Sequence, residues 1–148
     1  MIRTAAPGDI AQILDLCRAH AAYEKARYVE DRQGPRLARA LFSAEPSMHA
    51  WVVDEGAAEL LGYMTAVTEF ATWPARAFVY MDTLYLREHA RRQGWGQRLI
   101  ATLSDFARAR GAREIQWQTP PWNDDAIAFY RRIGADEADK VRFTLRLP

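Results

Sequence analysis

A turn that contains two glycines, placed between an apolar run and an amphipathic run, most constrains the fold of this chain. The apolar run covers residues 78–86, the turn reads Arg91-Arg92-Gln93-Gly94-Trp95-Gly96, and the amphipathic run ends at Gly111. A strand, a turn and a helix in this order bring unpaired backbone N–H groups and the positive end of the helix dipole together. The spacing Arg-x-x-Gly-x-Gly differs from the glycine patterns of dinucleotide and P-loop nucleotide sites. It predicts a site for a phosphate-like anion, with a plain tight turn as the alternative interpretation.

Hydrophobic periodicity along the rest of the chain predicts the element order β-α-α-β-β-β-α-β-α-β. The predicted strands are residues 1–5, 50–54, 60–70, 78–86, 114–119 and 141–147. The predicted helices begin at Pro7, Leu37, Trp95 and Asn123, and the last three end at Phe42, Arg110 and Gly134. Proline and an acid suit a first helical turn, asparagine is a preferred N-cap, and glycine often follows a last turn.

The order of the predicted elements indicates the fold class. Three neighbouring strands with short turns, residues 50–54, 60–70 and 78–86, favour an antiparallel meander. The strand at 114–119 follows a helix, so we expect it to lie beside 78–86 through a right-handed crossover. These pairings predict an α/β fold with a central mixed, mostly antiparallel sheet flanked by helices on both faces. The chain of 148 residues has no internal repeat or linker-like segment, so we expect one domain over residues 1–148.

Charge and cysteine content argue against several classes of function. The formal net charge is +1, which indicates neither a nucleic acid nor an anionic membrane as a partner. No apolar stretch approaches the roughly 20 residues of a membrane-spanning helix, and a signal-peptide segment is lacking. Cys17 is the single cysteine, so the chain cannot form an internal disulfide, and we expect a cytoplasmic location. The three histidines have no metal-ligand spacing, so we predict no metal site and interpret them as structural or exposed residues: His20, His49 and His89.

A second motif, residues 122–135, reads WNDDAIAFYRRIGA. It resembles the W-N-x-x-A-x-x-F-Y-x-x-x-G-A segment of the GCN5-related N-acetyltransferases, the GNAT family. The turn at Arg91-Arg92-Gln93-Gly94-Trp95-Gly96 resembles the one with which that family holds the pyrophosphate of coenzyme A, and the two motifs occur in the family's order. Within the family the chain is most similar to the diamine and polyamine (spermidine/spermine-like) acetyltransferases, through residues 16–24 and 68–73 as well as 122–135. The resemblance covers most of the chain and implies a GNAT-like sheet and acetyl-CoA as cofactor.

The resemblance also implies which residues bind the cofactor. Residues 84–86 match a strand whose bulged backbone pairs with the pantetheine arm, and residues 93–96 match the pyrophosphate turn. Asn123 matches a side chain that contacts the cofactor beyond the pyrophosphate, although it is an N-cap residue in either case. The full set implied to contact the cofactor is Leu84, Tyr85, Leu86, Arg91, Arg92, Gln93, Gly94, Trp95, Gly96, Asn123, Tyr130 and Arg132.

Acetyl transfer needs a deprotonated amine, a donor for the oxyanion and a proton for the departing sulfur. Tyr130 matches the tyrosine that supplies this proton, although a tyrosine on an apolar helix face is by default a core residue. A backbone N–H of Leu84 or Leu86 is the expected oxyanion donor. The polyamine enzymes carry a glutamate followed by an aspartate where this chain has Met81-Asp82, so the glutamate that takes the amine proton through water is missing. Asp82, which faces away from Met81 on a strand, is the catalytic carboxylate that remains.

The resemblance implies an N-acetyltransferase that acts on a primary amine of a small molecule by direct attack in a ternary complex. A polyamine, a diamine or an amino-acid-like amine is the expected acceptor, and the candidate substrate-binding residues are Tyr23, Glu24, Glu69 and Asp82. Glu24 and Glu69 are also candidates for taking the amine proton, and both could equally be surface residues. The alternatives are an acetyltransferase for a peptide, protein or antibiotic amine, and a non-catalytic acyl-CoA-binding regulator. We expect a homodimer, by resemblance and because the predicted strand at 141–147 offers an edge for pairing.

Overall fold

The computed structural model describes residues 1–56 and 58–147, which form two compact units, Met1–Gln118 and Thr119–Pro148. The strands of the first unit are β1 (Ile2–Thr4), β2 (His49–Val53), β3 (Gly62–Ala71), β4 (Arg76–Leu86) and β5 (Ile115–Gln116). Its helices are α1 (Ile10–Tyr23), α2 (Gln33–Phe42) and α3 (Trp95–Ala109), with short 3-10 turns at Pro7–Asp9 and Glu88–Ala90. The second unit contains α4 (Asp124–Arg132). Among the described residues, no helix is long and apolar enough to cross a bilayer.

The five strands form one sheet in the order β1-β2-β3-β4-β5. The first four strands pair antiparallel, and β5 pairs parallel with β4 at Val79–Ile115 and Tyr80–Gln116. The prediction of a mixed, mostly antiparallel sheet is therefore confirmed, including the meander of β2, β3 and β4 and the parallel strand that follows α3.

Alternating side chains of β2 contact helices on the two faces of this sheet. Ala50 and Val52 are buried in a core that includes Ile13 and Leu16 of α1. On the other face, His49 and Trp51 pack against Phe106 of α3, with ring centroids 4.7 Å and 4.9 Å apart. Ile13 and Leu16 have no exposed surface, and burying such a side chain contributes about 1.5–3 kcal/mol. These contacts confirm that helices flank both faces.

An ion pair fixes the start of α1 against the first strand. The Arg3 guanidinium donates to both carboxylate oxygens of Asp9, at 2.7 Å and 2.9 Å, and the Ala6 N–H donates to Asp9 Oδ2 at 2.7 Å. The hydrogen bonds from Arg3 lower the pKa of the Asp9 carboxyl, which is otherwise raised by its burial. Because α1 begins directly after Asp9, this contact helps to set where the last turn of α1 lies.

The second unit begins with a capped helix. The Asn123 side chain accepts a hydrogen bond from the Ala126 N–H, as an N-cap residue should, and Gly134 has a left-handed φ of 86° after the last turn of α4. The predicted strand at 141–147 is wrong: these residues have no strand pairing, and all of their side chains are exposed. The five strands of the described sheet do not include residues 141–147, and an alternating apolar pattern without a partner strand does not form a sheet.

Candidate active site

A β-bulge in β4 determines where the carboxylate of Asp82 points. Thr65 of β3 lies opposite Thr83, whereas the next residue, Ala66, lies opposite Met81, so Asp82 is an extra residue in β4. Met81 is 2% exposed and shares its face with Ala66. Asp82 is exposed and interacts electrostatically with His20 of α1. The bulge therefore directs the Asp82 carboxylate to the α1 face of the sheet, while position 81 is buried on the other face.

The backbone of β4 beyond the bulge has a free edge. Among the described residues, β4 pairs with β5 only at Val79 and Tyr80, whereas its pairing with β3 continues to Leu86. Residues 81–86 therefore have β3 on one side and no strand on the other. N–H and C=O groups along such an edge can pair with an extended ligand, and residues 84–86, which the sequence analysis assigned to this role, lie on it.

The glycine turn has the geometry of an anion site. Arg92 and Gly94 both have left-handed backbone conformations, with φ of 60° and 80°, and Gly94 is the N-cap of α3. An ideal Cβ on Gly94 would meet no heavy atom within 4 Å, so the side of the turn at Gly94 is open. The first N–H groups of the 15-residue helix α3 have no intrahelical acceptor, and alternating left-handed turns point backbone N–H groups into one concavity. Gln93 directly precedes Gly94, and Gly96 lies in the first turn of α3.

Two predicted cofactor residues at the turn make internal contacts instead of projecting freely. The Arg91 Nε donates to the carbonyl of Leu86 at 3.0 Å, and its guanidinium lies 4.4 Å from the ring centroid of Tyr23. Trp95 is 5% exposed, and the Arg98 guanidinium lies 3.7 Å from its ring centroid. Arg91 therefore ties the end of β4 to the end of α1, and Trp95 anchors the start of α3 in the core.

The last turn of α1 brings a histidine and a glutamate to the same face as Asp82. His20 Nε2 lies 3.1 Å from Glu24 Oε1, and the His20 ring stacks on Tyr85 of β4 with centroids 5.0 Å apart and planes at 24°. Tyr23 also lies near Tyr85, with ring centroids 6.3 Å apart. Burial lowers the pKa of His20, and Arg91 adds to this, while the charges of Glu24 and Asp82 oppose it. We call His20, Tyr23, Glu24, Asp82 and Tyr85 the α1–β4 cluster.

Polar side chains lie next to this cluster in the core. The Tyr63 hydroxyl interacts with the side chains of Cys17 and Thr83, and the Thr83 hydroxyl donates a hydrogen bond to Asp82 Oδ2 at 3.4 Å. Burial raises the pKa of Tyr63 far above its usual range and also raises the pKa of the Cys17 thiol. A thiol held in its protonated form is a poor nucleophile, so Cys17 is unsuited to covalent catalysis. Its predicted role as a packing residue fits its half-buried position on α1.

The remaining predicted residues are placed as follows. Glu69 is exposed on β3, four residues beyond Thr65 and so about 13 Å further along the strand than the bulge. Within the second unit, Asn123 is 6% exposed at the start of α4, and Tyr130 is half-buried near its end. Arg132 is exposed there, with its guanidinium 5.9 Å from the ring centroid of Phe129. The structure thus gathers Tyr23, Glu24 and Asp82 into one cluster and places Glu69 apart from it.

These residues fit coenzyme A by their chemistry. The left-handed turn at Arg92 and Gly94 suits a pyrophosphate, because backbone N–H groups and the helix dipole both favour an anion there. The free edge of residues 81–86 suits the amide groups of a pantetheine arm, because an extended chain can pair with an unpaired strand edge. Both features belong to the first unit, and a short connection that contains the 3-10 turn at Glu88–Ala90 joins them in the chain.

His20 is the residue of this cluster that sequence reasoning missed. The sequence predicts a structural or exposed residue there, because the three histidines are scattered along the chain without a metal-ligand spacing. The available signal was its distance of four residues from Glu24, which places both side chains on one face of a helix. That spacing predicts a His–Glu pair only once the helix is known to extend to Tyr23.

Comparison with known proteins agrees with this geometry. Thialysine N-epsilon-acetyltransferase of Bos taurus is 28% identical over 144 residues, which cover 93% of this chain and 84% of that protein. The D-amino-acid N-acetyltransferase of Saccharomyces cerevisiae is 27% identical over 114 residues, covering 74% of this chain and 70% of the relative. The crystal structure of an aminoglycoside acetyltransferase from an uncultured soil metagenomic sample, in complex with sisomicin, has a TM-score of 0.83 at 21% identity. The match covers 100% of this chain and 96% of that chain, and at this identity it shows a shared fold.

The family assignment rests on the sequence profile as well as on these relatives. The profile of the Acetyltransferase (GNAT) family matches residues 11–135, which include the bulged strand, the glycine turn and the motif at 122–135. The five-stranded mixed sheet and its flanking helices agree with that match. The chain belongs to the GNAT family and is an N-acetyltransferase.

Proposed function

We propose that this protein transfers the acetyl group of acetyl-CoA to a primary amine of a small molecule, by direct attack of the amine in a ternary complex. The observation that carries the proposal is the continuity of a bulged, free-edged strand with a left-handed turn at the start of α3. Acetyl-CoA supplies the activated acetyl group when it is bound. The raised pKa of the half-buried Cys17 thiol supports direct attack, because the single cysteine of the chain is then held as a weakly nucleophilic thiol.

The turn residues and the free edge of β4 have different roles in this proposal. Gln93, Gly94, Trp95 and Gly96 provide backbone N–H groups for the pyrophosphate, with Arg92 and Arg98 as nearby positive charges. Residues 84–86 hold the pantetheine arm, and a backbone N–H of Leu84 or Leu86 stabilises the oxyanion. Arg91 contributes by fixing the end of β4, since its Nε donates to the Leu86 carbonyl.

The residues of the second unit have roles that come from the resemblance. We propose that Tyr130 gives its phenolic proton to the departing thiolate and that Asn123 and Arg132 contact the cofactor beyond its pyrophosphate. A phenol is a suitable acid for a thiolate because it can donate the proton without first carrying a positive charge. The capped start of α4 supports this role by fixing the helix that carries Tyr130.

A cationic small molecule is the acceptor that this site favours. The carboxylates of Glu24 and Asp82 belong to the α1–β4 cluster and attract an ammonium group, and Tyr23 lies beside them at the end of α1. Two relatives are named as acetyltransferases of thialysine and of D-amino acids, which are small amines. These names support the same class of acceptor. We therefore propose an amino-acid-like amine, a diamine or a polyamine.

Turnover across a panel of amines tests the proposal. Release of free thiol from acetyl-CoA is measured with thialysine, a D-amino acid, spermidine, an aminoglycoside and a peptide with a free N-terminus. We expect turnover with one or more of the first three acceptors, at a kcat/KM at least tenfold above that for the peptide. No release with any amine, together with tight binding of coenzyme A by calorimetry, would favour the non-catalytic regulator instead. Preference for the aminoglycoside or the peptide would reassign the acceptor class.

We also propose that the protein is a homodimer. The resemblance supports this state, and the exposed apolar side chains of residues 141–147 provide surface that a second copy could cover. Sedimentation equilibrium at micromolar concentration measures the state, and a mass of 16.9 kDa at all concentrations would identify a monomer.

A further inference from the structure

His20 lies over the part of β4 where the proposed reaction takes place. Its ring stacks on Tyr85, which is the residue between Leu84 and Leu86 on the free edge of β4. The His20 ring also lies edge-on to the Tyr63 ring, with centroids 6.4 Å apart. It also interacts electrostatically with Asp82 at the bulge. The His20 side chain is 18% exposed, so it is largely shielded but still reachable from solvent. This position places an imidazole at the strand to which an acceptor amine must come.

Glu24 fixes the protonation pattern of the His20 ring. A carboxylate only accepts hydrogen bonds, so the 3.1 Å contact requires that His20 Nε2 carries the proton and donates it to Glu24. In the neutral ring Nδ1 then keeps its lone pair, and among the described residues it has no hydrogen-bond partner. One ring nitrogen thus binds a carboxylate and the other can accept a proton, as in the histidine of a hydrolase triad.

The groups that surround His20 keep it neutral but able to gain a proton. Glu24 on α1 and Asp82 on β4 raise its pKa, Arg91 after β4 lowers it, and burial among Tyr63 and Tyr85 lowers it most. The net effect lowers the pKa below its ordinary value near 6.5, so the ring is neutral at pH 7. The two carboxylates stabilise the imidazolium when it forms.

We propose that His20 is the residue that accepts the proton released by the acceptor amine and that Glu24 is its positioning partner. This inference rests on the acetyl transfer proposed above. An ammonium N–H gives its proton to Nδ1 of His20, directly or through one water, and the nitrogen lone pair that this frees attacks the acetyl carbon. The C–N bond forms and the C–S bond breaks, and the departing thiolate takes the Tyr130 proton, as proposed above. The nitrogen loses its second proton to solvent, and Tyr130 regains one from solvent. His20 then holds the proton as an imidazolium bonded to Glu24 and releases it to solvent. The net reaction releases one proton for each amine acetylated, and Glu24 stays a carboxylate throughout.

The test combines a pH profile with a direct titration. The kcat/KM of the wild type is measured from pH 5 to 9 with an accepted amine, and the His20 ring is titrated by NMR in the protein alone. We expect kcat/KM to show a first rise with pH that follows the titration of His20, and to fall toward high pH as the free acceptor loses its ammonium form. In His20→Gln, which keeps a hydrogen bond to Glu24, we expect the first rise to vanish and kcat/KM at pH 7.5 to fall about 100-fold.

Two further variants separate a chemical role from a structural one. In Glu24→Gln we expect the pKa of His20, measured by NMR, to fall, and we expect the first rise of kcat/KM to move to lower pH with it. The reason is that the negative charge of Glu24, which raises the pKa of His20, is removed. In His20→Ala we expect added imidazole to restore part of the activity. His89→Gln is the matched control, because His89 is 61% exposed and lies 3.7 Å from Glu59 at the surface.

The outcomes distinguish this inference from the proposed function. An active wild type together with a His20→Gln variant that keeps the first rise overturns the inference alone. A first rise that does not coincide with the NMR titration of His20 overturns it as well. Absence of turnover by the wild type with every amine overturns the proposed function, and this inference with it. Melting temperatures of the variants within a few degrees of the wild type exclude unfolding as the cause of lost activity.

Discussion

Gly94 and Gly111 hold the same left-handed backbone conformation at the two ends of α3, with φ of 80° and 71°. Neither glycine has a heavy atom within 4 Å of the position where a Cβ would be. The two positions are therefore equivalent in backbone strain and in free space, but only Gly94 lies in the turn assigned to the pyrophosphate. This pair separates the effect of strain from the effect on ligand binding.

Replacing each glycine by alanine gives the first prediction. A left-handed conformation costs a residue with a side chain about 1–2 kcal/mol, so Gly94→Ala and Gly111→Ala should lower the free energy of unfolding by similar amounts. Only Gly94→Ala should weaken coenzyme A binding, because its methyl group enters the space left for the phosphates. Urea unfolding and titration calorimetry check both statements. Equal loss of coenzyme A affinity in the two variants would show that Gly94 has no special role.

Asp82→Asn tests the carboxylate at the bulge. The side chain is exposed and keeps its hydrogen bond to Thr83 as an amide, so the melting temperature should change little. Removing its charge should raise KM for a cationic amine about tenfold, since one charge near an ammonium contributes on the order of 1 kcal/mol. Asp105→Asn is the control, because Asp105 is exposed on α3 and pairs with Arg108. A KM that is unchanged in Asp82→Asn contradicts the proposed substrate contact.

Tyr130→Phe tests the proposed general acid. Loss of the phenolic proton should lower kcat by about 100-fold, while the affinity for coenzyme A should stay within a factor of about two of the wild-type value. Stopped-flow measurement of thiol release and calorimetry with coenzyme A give the two values. Tyr28→Phe is a suitable control, because Tyr28 lies beside Arg18, with the guanidinium 5.8 Å from its ring centroid, far in sequence from α4. A normal kcat in Tyr130→Phe would remove this residue from the mechanism.

The stability of the protein should fall as the pH drops from 7.5 to 5.5. Burial lowers the pKa of both His20 and His49, so the unfolded chain takes up protons at a higher pH than the folded protein does. Stability from such groups is present above the ordinary histidine pKa near 6.5 and is lost as the pH falls through and below it. Urea unfolding at pH 7.5, 6.5 and 5.5 measures this trend. The double variant His20→Gln/His49→Gln should show a smaller decrease than the wild type.

Most of the fold could be predicted from periodicity and end signals. The third helix was predicted to begin at Trp95 and does, because Gly94 and the amphipathic run mark its start. The N-cap at Asn123 was also predicted and is observed. Helix α2 begins at Gln33, four residues before the predicted Leu37, because its first four residues, Gln-Gly-Pro-Arg, show no hydrophobic pattern. The prediction of a strand at 141–147 was wrong. Alternation of apolar and polar side chains indicates that a strand would have one apolar and one polar face, but it does not show that a partner strand is present.

Only those parts of the site that lie within one continuous segment of the sequence could be predicted. The glycine turn was found because its spacing and its chemistry lie in one continuous segment. The resemblance implied a bulged backbone at residues 84–86, whereas the structure has the bulge at Asp82. The position of a bulge depends on the register between two strands and leaves no local sequence pattern. The partnership of His20 with Tyr85 was missed for the same reason, as the two residues lie 65 positions apart in the chain.

The bulge makes the length of β4 critical. Deleting one residue between Met81 and Tyr85 would restore regular pleating and turn the side chains on one side of the deletion to the opposite face of the sheet. Tyr85 would then leave His20, or Met81 would leave the core. An insertion in the hairpin between β3 and β4 has no such effect, because the register toward Leu86 is set after it. Engineering of this enzyme should therefore place changes of length in the hairpin and keep the residue count from Met81 to Tyr85 unchanged.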